Sequence, residues 1–320
     1  MNIAVSGCLL GEKVRYDGGD KRDSFIADEL GKYAEFTPFC PETIVFGTPR
    51  PSVRLVTFQE QIKVLRNCDL VDVTKELEKG VREEVNRLKI LELTGIIFKS
   101  RSPSCGLGTT PTYQENGLEE GKSYGLFAKA CRDEYPLLPM EEEGRLCDPE
   151  VRENFVMQLF AYDAFETFKK ASPKMKELVA FHTRYKFLLQ AKDEKDYREL
   201  GNVTANREGL EFGELFQKYE HLFKTAISKK SSIKSIRNVL EHMAGFLKNE
   251  LSTSEKATLH KQIEEYAQKR IPLIMPLNTL YQYAKKYEVD YLLEQVFLQP
   301  YPHNLALYSY LEGLNEDTLV

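Results

Sequence analysis

The hydrophobic periodicity of the chain changes once, abruptly, at Asp148-Pro149, and that change limits it to a two-part architecture. Before this point short apolar runs alternate with helix-like stretches. Residues 2–6, 35–39, 61–65, 94–99 and 137–140 read as strands, and residues 24–33, 73–91 and a segment near 121–133 as helices. The run TGIIFK (94–99) is the strongest strand signal, β-branched and aromatic between polar boundaries. Strands alternating with helices predict an α/β domain with a mainly parallel, Rossmann-like sheet. Beyond Pro149 the pattern is helical throughout, at 155–170, 174–190, 209–229, 233–249, 254–269 and 276–286. Ser252 and Glu255 have the spacing of a capping box, and Pro272 and Pro276 interrupt the next junction. A length of 320 residues suits two domains, expected at 1–147 (α/β) and 148–320 (all-α).

No apolar run approaches the roughly 18 residues needed to span a bilayer. The apolar N-terminus has no basic leader and reads as a first strand, so a cytoplasmic location is expected. There the six cysteines would be thiols, ligands or nucleophiles rather than disulfides. None forms a CxxC pair, so a metal site has to be assembled from distant segments. Residues 1–150 carry 20 basic and 26 acidic side chains, a net −6, whereas residues 151–320 carry 24 and 23, a net +1. Between His221 and Leu240 there is no acidic residue, while Lys224, Lys229, Lys230, Lys234 and Arg237 all fall inside. Such a segment is either a solvated helix face or a seat for a polyanion.

Three cysteines share a position. Cys8 follows the first strand in SGCLLG, Cys40 follows the second in PFCPE, and Cys105 follows the strongest in KSRSPSCG. In an open parallel sheet ligands bind outside the carboxyl ends of the strands, so these thiols can converge although 32 and 65 residues separate them. Histidine often joins cysteine at zinc, but all five histidines (His182, His221, His242, His260, His303) lie in the helical part. Ligation by thiolate alone leans towards iron–sulfur, and three ligands on a 4Fe–4S cluster would leave one iron open. Glu42, on the Cys40 loop, and Ser102 and Ser104, flanking Pro103, are acid–base and hydrogen-bonding candidates. Arg15, Arg50 and Lys99 are candidate contacts to an anionic nucleotide. The stretch VRYDGG (14–19) fits neither a dinucleotide fingerprint nor a Walker loop. Cys68, Cys131 and Cys147 read as structural.

The stretches SGCLLGEKVRYDGGDK (6–21), CPETIVFGTPRP (40–51), KSRSPSCG (99–106) and GLFA (125–128) resemble the TudS-like thiouracil desulfidases. Residues 146–155 and the helical remainder, with FHTRYKFLLQAK (181–192) and NVLEHMAGFLK (238–248), resemble the YbgA-like domain often fused behind them. The combination looks like RudS-type desulfidases, which return 4-thiouridine in tRNA to uridine. The resemblance implies a 4Fe–4S cluster on Cys8, Cys40 and Cys105, with Glu42 and Ser102 as the acid–base pair. It implies non-redox hydrolytic removal of sulfur from 4-thiouridine, with tRNA as partner and the basic segment of the helical domain holding RNA. TIVFG after CPE departs from the glycine-richer pattern expected of relatives, without removing a proposed catalytic group. Two alternatives stand beside this reading: a desulfidase of free thiouracil or thio-UMP, and a non-catalytic metal-cluster sensor that binds nucleic acid.

Overall fold

The computed structural model describes residues 1–302, 304 and 305, which leaves His303 outside. Backbone packing divides the chain into two compact units, Met1–Phe155 and the part from Val156 onward.

The first unit has the expected parallel sheet. It contains β1 (Asn2–Ser6), β2 (Glu35–Phe39), β5 (Gly95–Phe98) and β8 (Met140–Glu142), in the order β2-β1-β5-β8, with every pair parallel. β1 and β5 lie in the middle of the sheet and are almost wholly buried, as their continuous apolar runs require. Among the crossover elements are α1 (Pro41–Phe46), α2 (Thr74–Lys89) and α3 (Leu126–Glu134); α2 packs on both of the others. In α2, Leu77, Val81, Val85 and Leu88 form the buried stripe that the 3.6-residue spacing predicts. Gly80 lies on the same face because a Cβ there would stand 2.5 Å from the Pro41 carbonyl oxygen.

A second sheet was not expected. It has the order β4-β3-β6-β7 and comprises β3 (Val53–Phe58), β4 (Gln61–Arg66), β6 (Thr110–Tyr113) and β7 (Glu119–Ser123). β3 escapes a sequence reading because its hairpin turns on Gln59 and Glu60, both at positive φ, instead of the Asn-Gly pair such turns favour. β7 (EEGKS) has no apolar residue; the segment near 121–133 expected to be one helix is this strand followed by α3. The strand expected at 137–140 starts only at Met140. Residues 24–33 form a π turn and a 3-10 turn rather than an α-helix.

The chain continues through α4 (Glu143–Leu146) and α5 (Pro149–Lys170), within which the division between the units falls. The second unit is helical: α6 (Met175–Lys192), α7 (Glu194–Thr204), α8 (Phe212–Ser228), α9 (Ile233–Phe246), α10 (Thr253–Ala267), α11 (Ile274–Lys286) and α12 (Asp290–Leu293). The Ser252–Glu255 capping box is present at the start of α10. α7, which the periodicity did not reveal, is capped by the Asp193 side chain. The core is aromatic: Phe165 lies 5.0 Å from Phe223, and Phe181 lies 4.4 Å from Tyr185, centroid to centroid. Among the described residues no helix is long and apolar enough to cross a membrane.

His182 sits beside this core with Nδ1 3.2 Å from the buried Tyr219 hydroxyl. Burial lowers its pKa from 6.5 to about 4. The folded state therefore favours neutral imidazole, and between those two values the unfolded chain binds the extra proton. This contribution is complete above pH 6.5 and declines as pH falls towards 4, by about 3 kcal/mol at most. Urea titrations of His182→Gln should show a flatter fall in stability across that window than the wild type; identical slopes would place the acid sensitivity elsewhere.

Candidate active site

Parallel register brings the three cysteine loops to one edge. Ser6 pairs with Phe39, Val5 with Ile97 and Phe98 with Glu142, so the carboxyl ends of all four strands lie together. Cys8 sits in the 3-10 turn Gly7–Leu10, closed by Gly11 at φ +91°. Cys40 is the N-cap residue of α1, with Pro41 opening the helix. The Cys105 loop is seated on the start of α3: the Pro103 carbonyl accepts from Leu126 N–H (3.1 Å), and the Ser104 carbonyl from Phe127 (2.9 Å) and Ala128 (3.1 Å). Gly125 permits this contact, because a Cβ there would lie 2.5 Å from the Ser104 carbonyl.

Cys8, Cys40 and Cys105 line one cavity of about 580 Å³, together with Glu42, Ser102, Ser104, Arg15, Arg50 and Lys99. Its far wall comes from the second sheet, with Arg54 and Tyr113. Cys8 and Cys105 are buried and Cys40 is half-buried. Burial, reinforced by Cys40, pushes the Cys8 thiol up to about 12 and raises Cys105 well above its ordinary value; burial also raises Cys40. A metal that binds such thiols has to displace their protons. Among the described residues no three Cys, His, Asp or Glu side chains close tightly enough to share one metal ion. Three thiols lining one cavity, with no histidine among its lining residues, are a donor set of the kind that suits an iron–sulfur cluster.

Glu42 is buried and addressed from both sides. Its Oε1 accepts from Ser104 Oγ at 2.6 Å and from Ser102 Oγ at 3.4 Å, and the two serine oxygens are 3.0 Å apart. Its Oε2 accepts from Arg50 Nε (3.2 Å) and Nη2 (3.0 Å). Ser102 Oγ also accepts from the Cys105 (3.1 Å) and Ser104 (3.3 Å) amides, so it braces its own loop. The resemblance pairs Glu42 with Ser102; the shorter contact is to Ser104.

Several side chains are engaged differently from what the sequence suggested. Arg50 was a candidate substrate contact, but its side chain is 4% exposed and its donors are spent on Glu42, the Val14 and Gly47 carbonyls and Thr48. Lys99 is held by Glu143 and the Ser100 hydroxyl. Arg15 lines the cavity and pairs with Asp17 at 3.3 Å. In the helical unit Lys224 is buried between Glu166 (2.5 Å) and Glu220 (2.6 Å), which removes it from any RNA-facing surface. Lys229 pairs with Asp193 and Asp196, and Arg237 with Glu264. Lys230 and Lys234 are exposed. Tyr185, Tyr219 and Phe223 belong to the core. Carboxylates from α8 itself and from other segments neutralise much of the charge that this stretch carries.

Sequence reasoning missed three contributors. Thr43 donates to Cys40 Sγ at 3.0 Å, one helical turn from the ligand candidate, a spacing that could have revealed it. Arg101 lines the cavity at φ +60°, next to Ser102, and no local sequence signal marks it. Arg54 lies over Tyr113 (5.5 Å), with its Nε buried and unpartnered, on a strand that was not foreseen.

A parallel-sheet unit whose strand ends present three thiols, a carboxylate and two hydroxyls to one cavity defines a class of thiolate-centred site. Residues 3–143 match the family described as 2-thiouracil desulfurase, and residues 186–302 match one described as a protein of unknown function, DUF1722. The chain belongs to the thiouracil desulfurase family through its N-terminal part, with a DUF1722 segment behind it. It is 23% identical to the uncharacterized protein YbgA of Escherichia coli (strain K12) over 153 residues, 48% of this chain and 90% of that one. It is 29% identical to the uncharacterized protein YbbK of Bacillus subtilis (strain 168) over 126 residues, 38% of this chain and 80% of that one. A solved structure described as the 4Fe-4S-dependent thiouracil desulfidase TudS is 31% identical, with 45% of this chain and 92% of that one covered and a TM-score of 0.37.

The remaining cysteines separate by exposure: Cys131 is buried, whereas Cys68 and Cys147 are exposed. Alkylation of the metal-free protein with iodoacetamide near pH 8 should label Cys68 and Cys147 first, with Cys8, Cys105 and Cys131 far slower by peptide mass spectrometry. Early labelling of Cys8 or Cys105 would contradict their burial.

Proposed function

We propose that the chain is an iron–sulfur desulfidase that removes sulfur from 4-thiouridine in tRNA. The observation that carries this is the meeting of Cys8, Cys40 and Cys105, with Glu42 and the serine pair, around a single cavity. A 4Fe–4S cluster on the three thiolates would supply an iron with a free position for a thiocarbonyl sulfur.

The chain's own groups account for the rest. Glu42 Oε1 accepts a proton from water as the water oxygen attacks the thiocarbonyl carbon, and Ser104 and Ser102 form the hydroxyl chain through which that proton returns. Oxygen replaces sulfur on the ring, sulfur leaves as hydrogen sulfide, and no electrons are exchanged. Arg15, Lys21, Arg54, Lys99 and Arg101 line the cavity, and Glu42 is the one carboxylate among its lining residues. With Arg15 paired to Asp17 and Lys99 to Glu143, Lys21, Arg54 and Arg101 are the lining cations that support an anionic, nucleotide-containing substrate. In this reading the helical unit holds the RNA backbone through its exposed basic side chains, Lys230 and Lys234 among them.

The ion pairing of Lys224, Lys229 and Arg237 favours a second reading, in which the substrate is free thio-UMP or thiouracil and the helical unit does not touch it. Turnover on thiolated tRNA and on 4-thio-UMP, compared at two salt concentrations, separates the two. The first reading expects tRNA to be preferred and salt to weaken its binding steeply; a preference for the nucleotide decides for the second.

Each of Cys8→Ala, Cys40→Ala and Cys105→Ala should abolish bound iron and turnover in anaerobically prepared protein. Glu42→Gln should keep its iron and lose about 10²–10⁴-fold in kcat. Iron retained without Cys105, or full activity without Glu42, would overturn the assignment.

A further inference from the structure

Among the described residues the Arg50 guanidinium is the one group that touches the Cys40 thiol, the Glu42 carboxylate and the loop that carries Arg15 into the cavity. Its Nε and Nη2 converge on Glu42 Oε2, while Nη1 donates to the Val14 carbonyl at 2.9 Å and the Gly47 carbonyl at 3.0 Å. Nη2 also lies 4.0 Å from Cys40 Sγ. The Val14 carbonyl additionally accepts from Thr43 Oγ1 (3.2 Å) and, at 3.7 Å, from the Cys40 thiol. No donor is left for a substrate. A carboxylate on a flexible three-bond stem has two equivalent oxygens and can rotate; here one oxygen is clamped by a planar fork, and only the other faces the serines.

We propose that Arg50 is a positioning residue that acts through Glu42: it fixes Glu42 so that Oε1 alone faces the serines and the reacting atoms. This rests on the desulfidase reading and assigns to Arg50 a role other than anion recognition. Lysine is a point donor and cannot reproduce the two-point hold on Oε2, so it restores the charge without the full geometry.

The test uses the cluster-loaded, full-length enzyme. Arg50→Met should lower kcat by about 10–100-fold, the range typical of partners that orient a ligand or a catalytic group, with KM within about twofold. Its iron content and visible absorption should match the wild type, and Arg50→Lys should recover part of the loss. In a Glu42→Gln background, where amide and carboxylate no longer need the same hold, adding Arg50→Met should cost less than about twofold in single-turnover rate. Independently of turnover, carbodiimide coupling of an amine to Glu42, mapped by peptide mass spectrometry, should rise several-fold in Arg50→Met. A raised KM at unchanged kcat makes Arg50 a substrate contact and overturns the proposal. So do rate losses that multiply fully across the two substitutions, or unaltered labelling of Glu42. If Arg50→Met loses its iron or fails to fold, Arg50→Lys decides: wild-type kcat and wild-type Glu42 labelling in that variant refute positioning by the fork. If the wild-type enzyme turns over no thiolated substrate, the desulfidase reading fails, while the labelling experiment still decides what Arg50 does to Glu42.

Discussion

The site depends on parallel strand register. Cys8, Cys40 and Cys105 belong to three loops far apart in sequence, and no local turn could gather them. What gathers them is that β1, β2 and β5 end together at one edge of a buried sheet. A slip of one residue in β1 would turn its side chains to the other face, where Ile3 and Val5 would have to pack into space shaped for Ala4 and Ser6, and that mismatch is what holds the register. The hydrophobic core thus sets the spacing of the thiols, and cofactor chemistry is constrained by packing that has no direct part in it.

Burying Glu42 and Arg50 beside those thiols is expensive, and the arrangement offsets the cost by satisfying both ions almost completely. Each carboxylate oxygen has two donors, and every nitrogen of the guanidinium has an acceptor. A buried pair of this kind adds little to net stability, yet removing one partner leaves the other charge stranded. Its worth here is geometric. The chain spends a desolvation cost on the direction in which one carboxylate oxygen points.

The sheet was legible because its central strands are buried on both faces and read as unbroken apolar runs; TGIIFK could scarcely be anything else. The three thiols were legible because strand ends and glycine-, proline- and serine-rich loops are local signals. The second sheet was hidden, since a Gln59-Glu60 turn carries no glycine or asparagine to announce a hairpin and β7 has no buried side to produce alternation. Arg54 and Tyr113 were hidden with it. The basic segment misled for a different reason. Local sequence counts Lys224 and Arg237 as charges but cannot see Glu166 and Glu264 arriving from other helices; Glu220, one turn before Lys224 on α8, stands just outside the segment.

Two short segments carry the chemistry, and each combines a thiol with the groups that would act beside it. The Cys40 segment supplies a thiol, the carboxylate two residues later and the guanidinium that clamps it. The Cys105 segment supplies a thiol and both hydroxyls within four residues. Ser104 bonds Glu42 and approaches Cys105 Sγ at 3.4 Å, so the two segments are joined at the carboxylate itself. A site built this way places its proposed acid–base groups on the same two segments that carry two of its proposed cofactor ligands.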